Sequence, residues 1–157
     1  MKVEERIMYI PINGIQRQGV KINPTTYTIH STANLKSTAI NERDNLARKG
    51  NVRLASFHDV VDDKMVVRCI PHNEKALHAG NSVGNATSIS LEICESGDKN
   101  RTINNAIEVV SHDLQNLGWG VDRLRRHYDW SGKNCPRIMS ANNWAKWVEF
   151  KTCVQIN

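Results

Sequence analysis

The stretch SISLEICES, residues 88–96, constrains the fold of this chain more than any other. Ile89, Leu91 and Ile93 alternate with Ser88, Ser90, Glu92 and Cys94. A repeat of two is that of a β-strand, so one face is apolar and the other is small and polar. The following segment, NRTINNAIEVVSHDLQNLGWG, changes the repeat. Ile103, Ile107, Val110, Leu114 and Leu117 recur every three or four residues, which is the stripe of an amphipathic helix. A one-faced strand followed by a one-striped helix calls for a layered α/β domain in which each element covers the other.

The rest of the chain repeats the pattern. TTYTIHST reads as a strand, with Tyr27 and Ile29 on one face and Thr28 and His30 on the other. LKSTAINERDNLARKG reads as a helix stopped by Gly50. VRLASFHDVV and KMVVRCIP read as two strands joined by a hairpin turn at Asp62-Asp63-Lys64. LHAGNSVGNAT reads as a Gly- and Asn-rich loop, and DRLRRHYDW as a short strand ending in loop. SANNWAKWVEFKTCV reads as a last helix, N-capped by Ser140, with Trp144, Trp147 and Val148 on one face and the two tryptophans in the core. The expected fold class is α/β, a central mixed β-sheet flanked by helices. Two strands each place one ionisable residue, His30 or Glu92, on an otherwise small polar face, which suggests a face open to a ligand.

At 157 residues the chain suits a single domain. Its formal charge of +5 and pI of about 9.2 favour an anionic partner. The basic residues are scattered, however. RLRRHYD is the densest cluster and no nucleic-acid module is visible, so nucleic acid is not expected. No apolar run approaches the roughly 20 residues of a membrane span, so insertion is not expected either. MKVEERIMYIPING lacks the apolar segment of a secretory signal. Cys69, Cys94, Cys135 and Cys153 are widely spaced, which predicts reduced thiols, with Cys69 and Cys94 as core filling.

HYDWSGKNCP, residues 127–136, holds a histidine, a lysine and a cysteine within ten residues. Together with His30, His127 and Cys135 make the three-ligand pattern of a catalytic zinc site, which keeps a fourth position for water. Spacing alone supports this weakly, since a histidine and a cysteine eight apart recur by chance. His72 and His112 read as surface or structural. His58 and His78 remain open on chemistry alone.

YTIHSTAN, FHDVVDDK, CIPHNEKALHAG, SISLEICES and HYDWSGKNCP together resemble, in order and spacing, the zinc-dependent N-acetylmuramoyl-L-alanine amidases of the amidase 2 family. That family includes phage endolysins and bacterial autolysins and is related to the peptidoglycan recognition proteins. The resemblance runs from about Pro24 through the last helix. It implies one zinc ion held by His30, His127 and Cys135, Glu92 and Lys133 as catalytic residues, and Phe57, His78, Asn81 and Trp130 in the substrate cleft. Trp130 reads equally as a packing residue. Phe57 stands where some relatives carry a Tyr, and a Phe donates no hydrogen bond, so the weight of the chemistry falls on Glu92. His58 matches a family position that is not a ligand.

The implied reaction is hydrolysis of the amide between the lactyl group of N-acetylmuramic acid and L-alanine in bacterial peptidoglycan, in lysis or wall turnover. A wall-binding module without activity and a zinc hydrolase of small muropeptides are the alternatives; Cys135 argues against the first. The expected organisation is one catalytic domain over residues 1–157, with 1–23 as an extension packed on it and no separate wall-binding domain. A monomer is expected, made in the cytoplasm without a signal peptide and acting at the cell wall.

Overall fold

The computed structural model describes all 157 residues, Met1–Asn157. Six strands form one sheet: β1 (Glu4–Ile7), β2 (Thr26–Ser31), β3 (Asp59–Val61), β4 (Met65–Arg68), β5 (Ser88–Ile93) and β6 (Leu124–Arg126). Their spatial order is β1-β4-β3-β5-β2-β6. Only β3 and β4 pair antiparallel; every other neighbour is parallel, so the sheet is mixed. Five helices accompany it: α1 (Ala39–Ala47), α2 (Ser82–Thr87), α3 (Lys99–Leu117), α4 (His127–Ser131) and α5 (Ala141–Ile156). No helix is long and apolar enough to cross a membrane.

The alternation in β2 and β5 divides the molecule. Tyr27, Ile29, Ile89, Leu91 and Ile93 face α3 and α5 and, with Val109, Val110, Leu114, Trp147 and Phe150, form the larger core. Each fully buried Ile or Leu there contributes about 1.5–3 kcal/mol. On the other face the sheet is split. Over β3 and β4, Val60, Val67 and Cys69 pack with Leu46 of α1 in a second apolar cluster. Over β2 and β5, Thr28, His30, Ser88, Ser90 and Glu92 leave a polar floor.

Local chemistry places the ends of the elements. Thr38 caps α1 by accepting from Asn41 N. Asp98 caps α3, and Gly118, at φ 67°, ends it in the left-handed conformation that suits glycine. Asp62 makes the β3–β4 turn: its Oδ1 accepts from Lys64 N and Met65 N, and its Oδ2 from Ala39 N.

Several expectations need correction. β1, EERI, is an added edge strand of four exposed residues and carries no alternation to reveal it. The Gly- and Asn-rich loop contains the six-residue helix α2, started by Asn81, whose Oδ1 accepts from Val83 N and Gly84 N. The segment after β6 is α4, not loop. Of the expected strand over residues 52–61, only Asp59–Val61 is a strand. Ser140 does not cap α5; its hydroxyl donates to Arg137 O. Asn142, Asn143 and Trp144 adopt φ of 53°, 53° and 66°, so the regular helix starts later. Trp147 is buried and Trp144 packs at the edge of the core, but Val148 is 58% exposed and does not share their face.

Candidate metal centre

His30 sits near the end of β2 and pairs in register with Glu92 of the parallel neighbour β5. In-register partners point to the same face, so the imidazole and the carboxylate rise side by side from the polar floor. His127 opens α4 directly after edge strand β6, and Cys135 lies in the turn that follows α4. That turn is drawn back onto the helix by Tyr128 N donating to Cys135 O at 3.1 Å. The result is compact: His30 Nδ1 lies 3.1 Å from His127 Nδ1 and 3.7 Å from Cys135 Sγ. All three donor atoms stand within 4.8 Å of one another, and all three residues are buried.

Glu95 braces the cluster from the side. Its carboxylate takes a two-pronged contact from Arg137, at 2.6 and 3.0 Å, and accepts from Ala33 N. This ties the loop leaving β2 to the segment leaving Cys135.

Electrostatics separate the donors from the carboxylate. Burial, with His78 and His127 alongside, drives His30 well below its usual value. Burial brings His127 down to about 4, and Lys133 adds to the shift. Both rings are therefore neutral near pH 7 with lone pairs to offer. Burial pushes the Cys135 thiol up to about 12. Burial also pushes Glu92 up to about 8, with Glu42 adding to it and Lys133 pulling it back. Glu92 Oε2 is sealed from solvent and has no hydrogen-bond partner. The Lys133 side chain is exposed at the rim, near enough for its charge to act on both histidines and on Glu92.

The other residues expected to contact a substrate are placed differently. Phe57 is 7% exposed and packs in the apolar cluster with α1. His78 is also 7% exposed, and both its nitrogens are engaged, with His30 Nε2 at 3.0 Å and Ser88 O at 3.1 Å. Asn81 spends its oxygen on capping α2 and its amide on Trp130 O at 3.3 Å. Trp130 is half-buried, and its Nε1 donates to Thr28 Oγ1 at 2.9 Å. It lies so close over α2 that a Cβ on Gly84 would stand 2.8 Å from its ring and 2.6 Å from Ala79 Cβ. Glycine there lets α4 settle on α2 and carry His127 inward.

His58 is a buried structural residue, bonded to Ser90 and to Glu74 O. Sequence spacing carried no sign of the partnership between His78 and His30, since 48 residues separate them.

A family model described as Amidase_2, N-acetylmuramoyl-L-alanine amidase, matches residues 21–138. The chain belongs to the amidase 2 family. It is 43% identical over 136 residues to the N-acetylmuramoyl-L-alanine amidase CwlA of Bacillus subtilis (strain 168), covering 82% of this chain and 48% of that protein. It is 45% identical over 125 residues to XlyB, an N-acetylmuramoyl-L-alanine amidase of the same organism, covering 74% and 38%. The chain thus spans half or less of the length of these curated relatives. Among solved structures, the catalytic domain of XlyA superposes with a TM-score of 0.88 at 30% identity, covering 97% of this chain and 99% of that one. The PlyG catalytic domain gives 0.86 at 30% identity, covering 98% and 94%. The family's fold is therefore present over nearly the whole chain.

Proposed function

We propose that the chain is a zinc-dependent N-acetylmuramoyl-L-alanine amidase, cleaving the amide between the lactyl group of N-acetylmuramic acid and the L-alanine of the stem peptide. The observation that carries the reading is the convergence of His30 Nδ1, His127 Nδ1 and Cys135 Sγ beside Glu92 Oε2, a sealed oxygen without a partner. Family membership supports it.

The donor set fits zinc in type and in size. Zn–N distances of about 2.0–2.1 Å and Zn–S of about 2.3 Å place tetrahedral donors roughly 3.3 Å (N to N) and 3.6 Å (N to S) apart. The corresponding separations here are 3.1 and 3.7 Å. Three nitrogen and sulfur ligands with one open position is the catalytic pattern of that metal. One zinc held by these residues would supply an acidified water and a Lewis acid for the amide carbonyl.

The remaining chemistry belongs to the chain. Glu92 takes a proton at its carboxylate and returns it to the departing L-alanine amine. Lys133 brings a positive charge to the oxygen on which negative charge develops. Trp130 forms the wall of the cleft on the α4 side. Phe57, His78 and Asn81 act behind the site, as packing and positioning groups. Residues 1–23 belong to the same catalytic unit, since β1 extends its sheet, and the site of action is bacterial peptidoglycan.

Digestion of purified walls followed by mass spectrometry tests the reading. Newly freed L-alanine amino groups should accumulate, and a chelator should stop them. Elemental analysis should find one zinc per chain. Release of reducing sugar ends without free L-alanine, or full activity in metal-free protein, overturns it.

A further inference from the structure

His78 is buried behind His30, and its ring has two fixed neighbours. Nε2 lies 3.1 Å from the carbonyl oxygen of Ser88, and Nδ1 lies 3.0 Å from His30 Nε2. A carbonyl only accepts, so His78 Nε2 carries the hydrogen. In a neutral imidazole the other nitrogen is then bare. His78 Nδ1 must accept, and His30 Nε2 must donate to it. That leaves His30 Nδ1 bare, and it is the atom that faces His127 and Cys135.

The His127 ring stands next to the segment that carries His78, its Nε2 3.5 Å from where a Cβ on Gly80 would stand. The segment is itself rigid: Asn85 Oδ1 accepts from both His78 N and Ala79 N, and Ser88, which anchors the His78 ring, begins β5.

We propose that His78 is the positioning residue for His30 and fixes its tautomer, so that His30 Nδ1 is left bare towards His127 and Cys135. The inference rests on reading that triad as the metal site. His78 touches neither metal nor substrate. It acts by presenting one acceptor to His30 and holding the ring that the metal uses.

Nitrogen-15 spectra of the histidine side chains, recorded on the metal-free full chain at pH 7, read the tautomers directly. His30 should show the Nε2–H form. In His78→Ala, His30 should become a mixture of the two forms. Zinc affinity, measured by competition with a chromogenic chelator, should fall about 10- to 100-fold. His78→Gln can accept from His30 and donate to Ser88 O together; it should restore the Nε2–H form and most of the affinity. An Nδ1–H form of His30 in the wild type overturns the proposal. So does a His78→Ala protein with unchanged tautomer and affinity, or a folded His78→Gln protein whose His30 is mixed. A wild type that takes up no zinc overturns the reading of the site instead, and the nitrogen spectra still decide the tautomers.

Discussion

His30, His127 and Cys135 rise from one face of the sheet, while Asp59, His72 and Asp113 gather on the face covered by α3; in both groups three potential ligand atoms stand within 4.8 Å of one another. The second group already contains its cation. Arg68 Nη1 donates to Asp59 Oδ2 and Asp113 Oδ2, both at 2.8 Å, and Nη2 donates to Asp113 Oδ1 at 2.9 Å. Tyr27 OH donates to Asp113 at 2.9 Å, and Arg68 Nε reaches Glu5 of β1 at 2.7 Å. One guanidinium pins β1, β3 and β4 to helix α3, and Tyr27 ties β2 to the same group through Asp113. The first group has no such charge. Its rings are neutral and its thiol protonated, so no counter-charge within the chain occupies its donor atoms. Clustering of ligand types is common to both; the charge already present marks one group as structural and leaves the donors of the other available.

Removing the built-in cation should have the largest effect. Arg68→Met leaves Asp59 and Asp113 buried without a counter-charge, and loss of one partner from a buried pair costs about 3–5 kcal/mol. Urea unfolding of the metal-free protein measures it. Cys135→Ser, measured the same way, should change little, because it uncovers no charge. Equal losses in the two variants would erase the distinction between the clusters.

The reverse pattern is expected for turnover. Glu92→Ala should retain the fold and the zinc and lose roughly 100-fold or more in wall hydrolysis. Cys135→Ser should lose activity together with the metal, whereas Cys69→Ser and Cys153→Ser should keep both. Near-normal hydrolysis by Glu92→Ala excludes it as the group that moves the proton.

How far the sequence foretold these regions follows from how local each signal is. The division of faces was legible, because the alternation in TYTIHS and SISLEI is a property of each strand by itself, and it set His30 and Glu92 apart from Ile29 and Leu91. The convergence of His30, His127 and Cys135 was legible only weakly from spacing and clearly through the family motifs. The Arg68 network was not: its carboxylates lie 9, 45 and 63 residues away and meet it only when β4 pairs between β1 and β3 and α3 packs across the sheet. The burial of Phe57 and His78 was not legible for the same reason. A phenylalanine that completes a core and one that lines a cleft have the same neighbours in sequence, and a histidine that braces another looks like one that stands free. β1 escaped because an exposed edge strand needs no apolar face.

Acid should separate the clusters further. Burial pushes Asp59 up, but Arg68 and His72 outweigh it and hold the carboxyl at about 2, below the ordinary 3.8. A depressed carboxyl contributes stability that is present above its unfolded value and is lost as pH falls through the folded one. The Asp59 contribution, about 2 kcal/mol, should therefore fade between about pH 4 and pH 2. His72 has the opposite sense. Burial lowers it, yet contact with Asp59 at 2.6 Å raises it above 6.5 overall, so its contribution is complete below 6.5 and fades as pH rises past its folded value. Unfolding of Asp59→Asn against pH should show a flatter acid limb than the wild type and no alkaline loss from His72. An unchanged acid limb would place the acid sensitivity elsewhere, at Glu74 or Glu95, whose values are also held low by arginine partners.

The smallest expected effect is that of salt, and it tests whether buried and exposed charges do different work here. The screening length falls from about 10 Å at 0.1 M to about 3 Å at 1 M, and it acts on exposed charges far more than on buried ones. The Arg68 cluster and the metal triad are both buried, so the urea midpoint and the zinc affinity should change little over that range. The net charge of +5 is carried by scattered surface lysines and arginines. On the proposed function those charges should draw the protein towards anionic wall polymers, and that attraction would be exposed. Lysis of whole cells should therefore decline several-fold with salt, while cleavage of a short soluble muropeptide stays nearly constant. If muropeptide cleavage declines in parallel, the surface charge contacts the substrate itself and does not act by steering. If the urea midpoint declines as well, the Arg68 cluster is coupled to solvent, and the contrast between a built-in cation and an exchangeable one loses its physical basis.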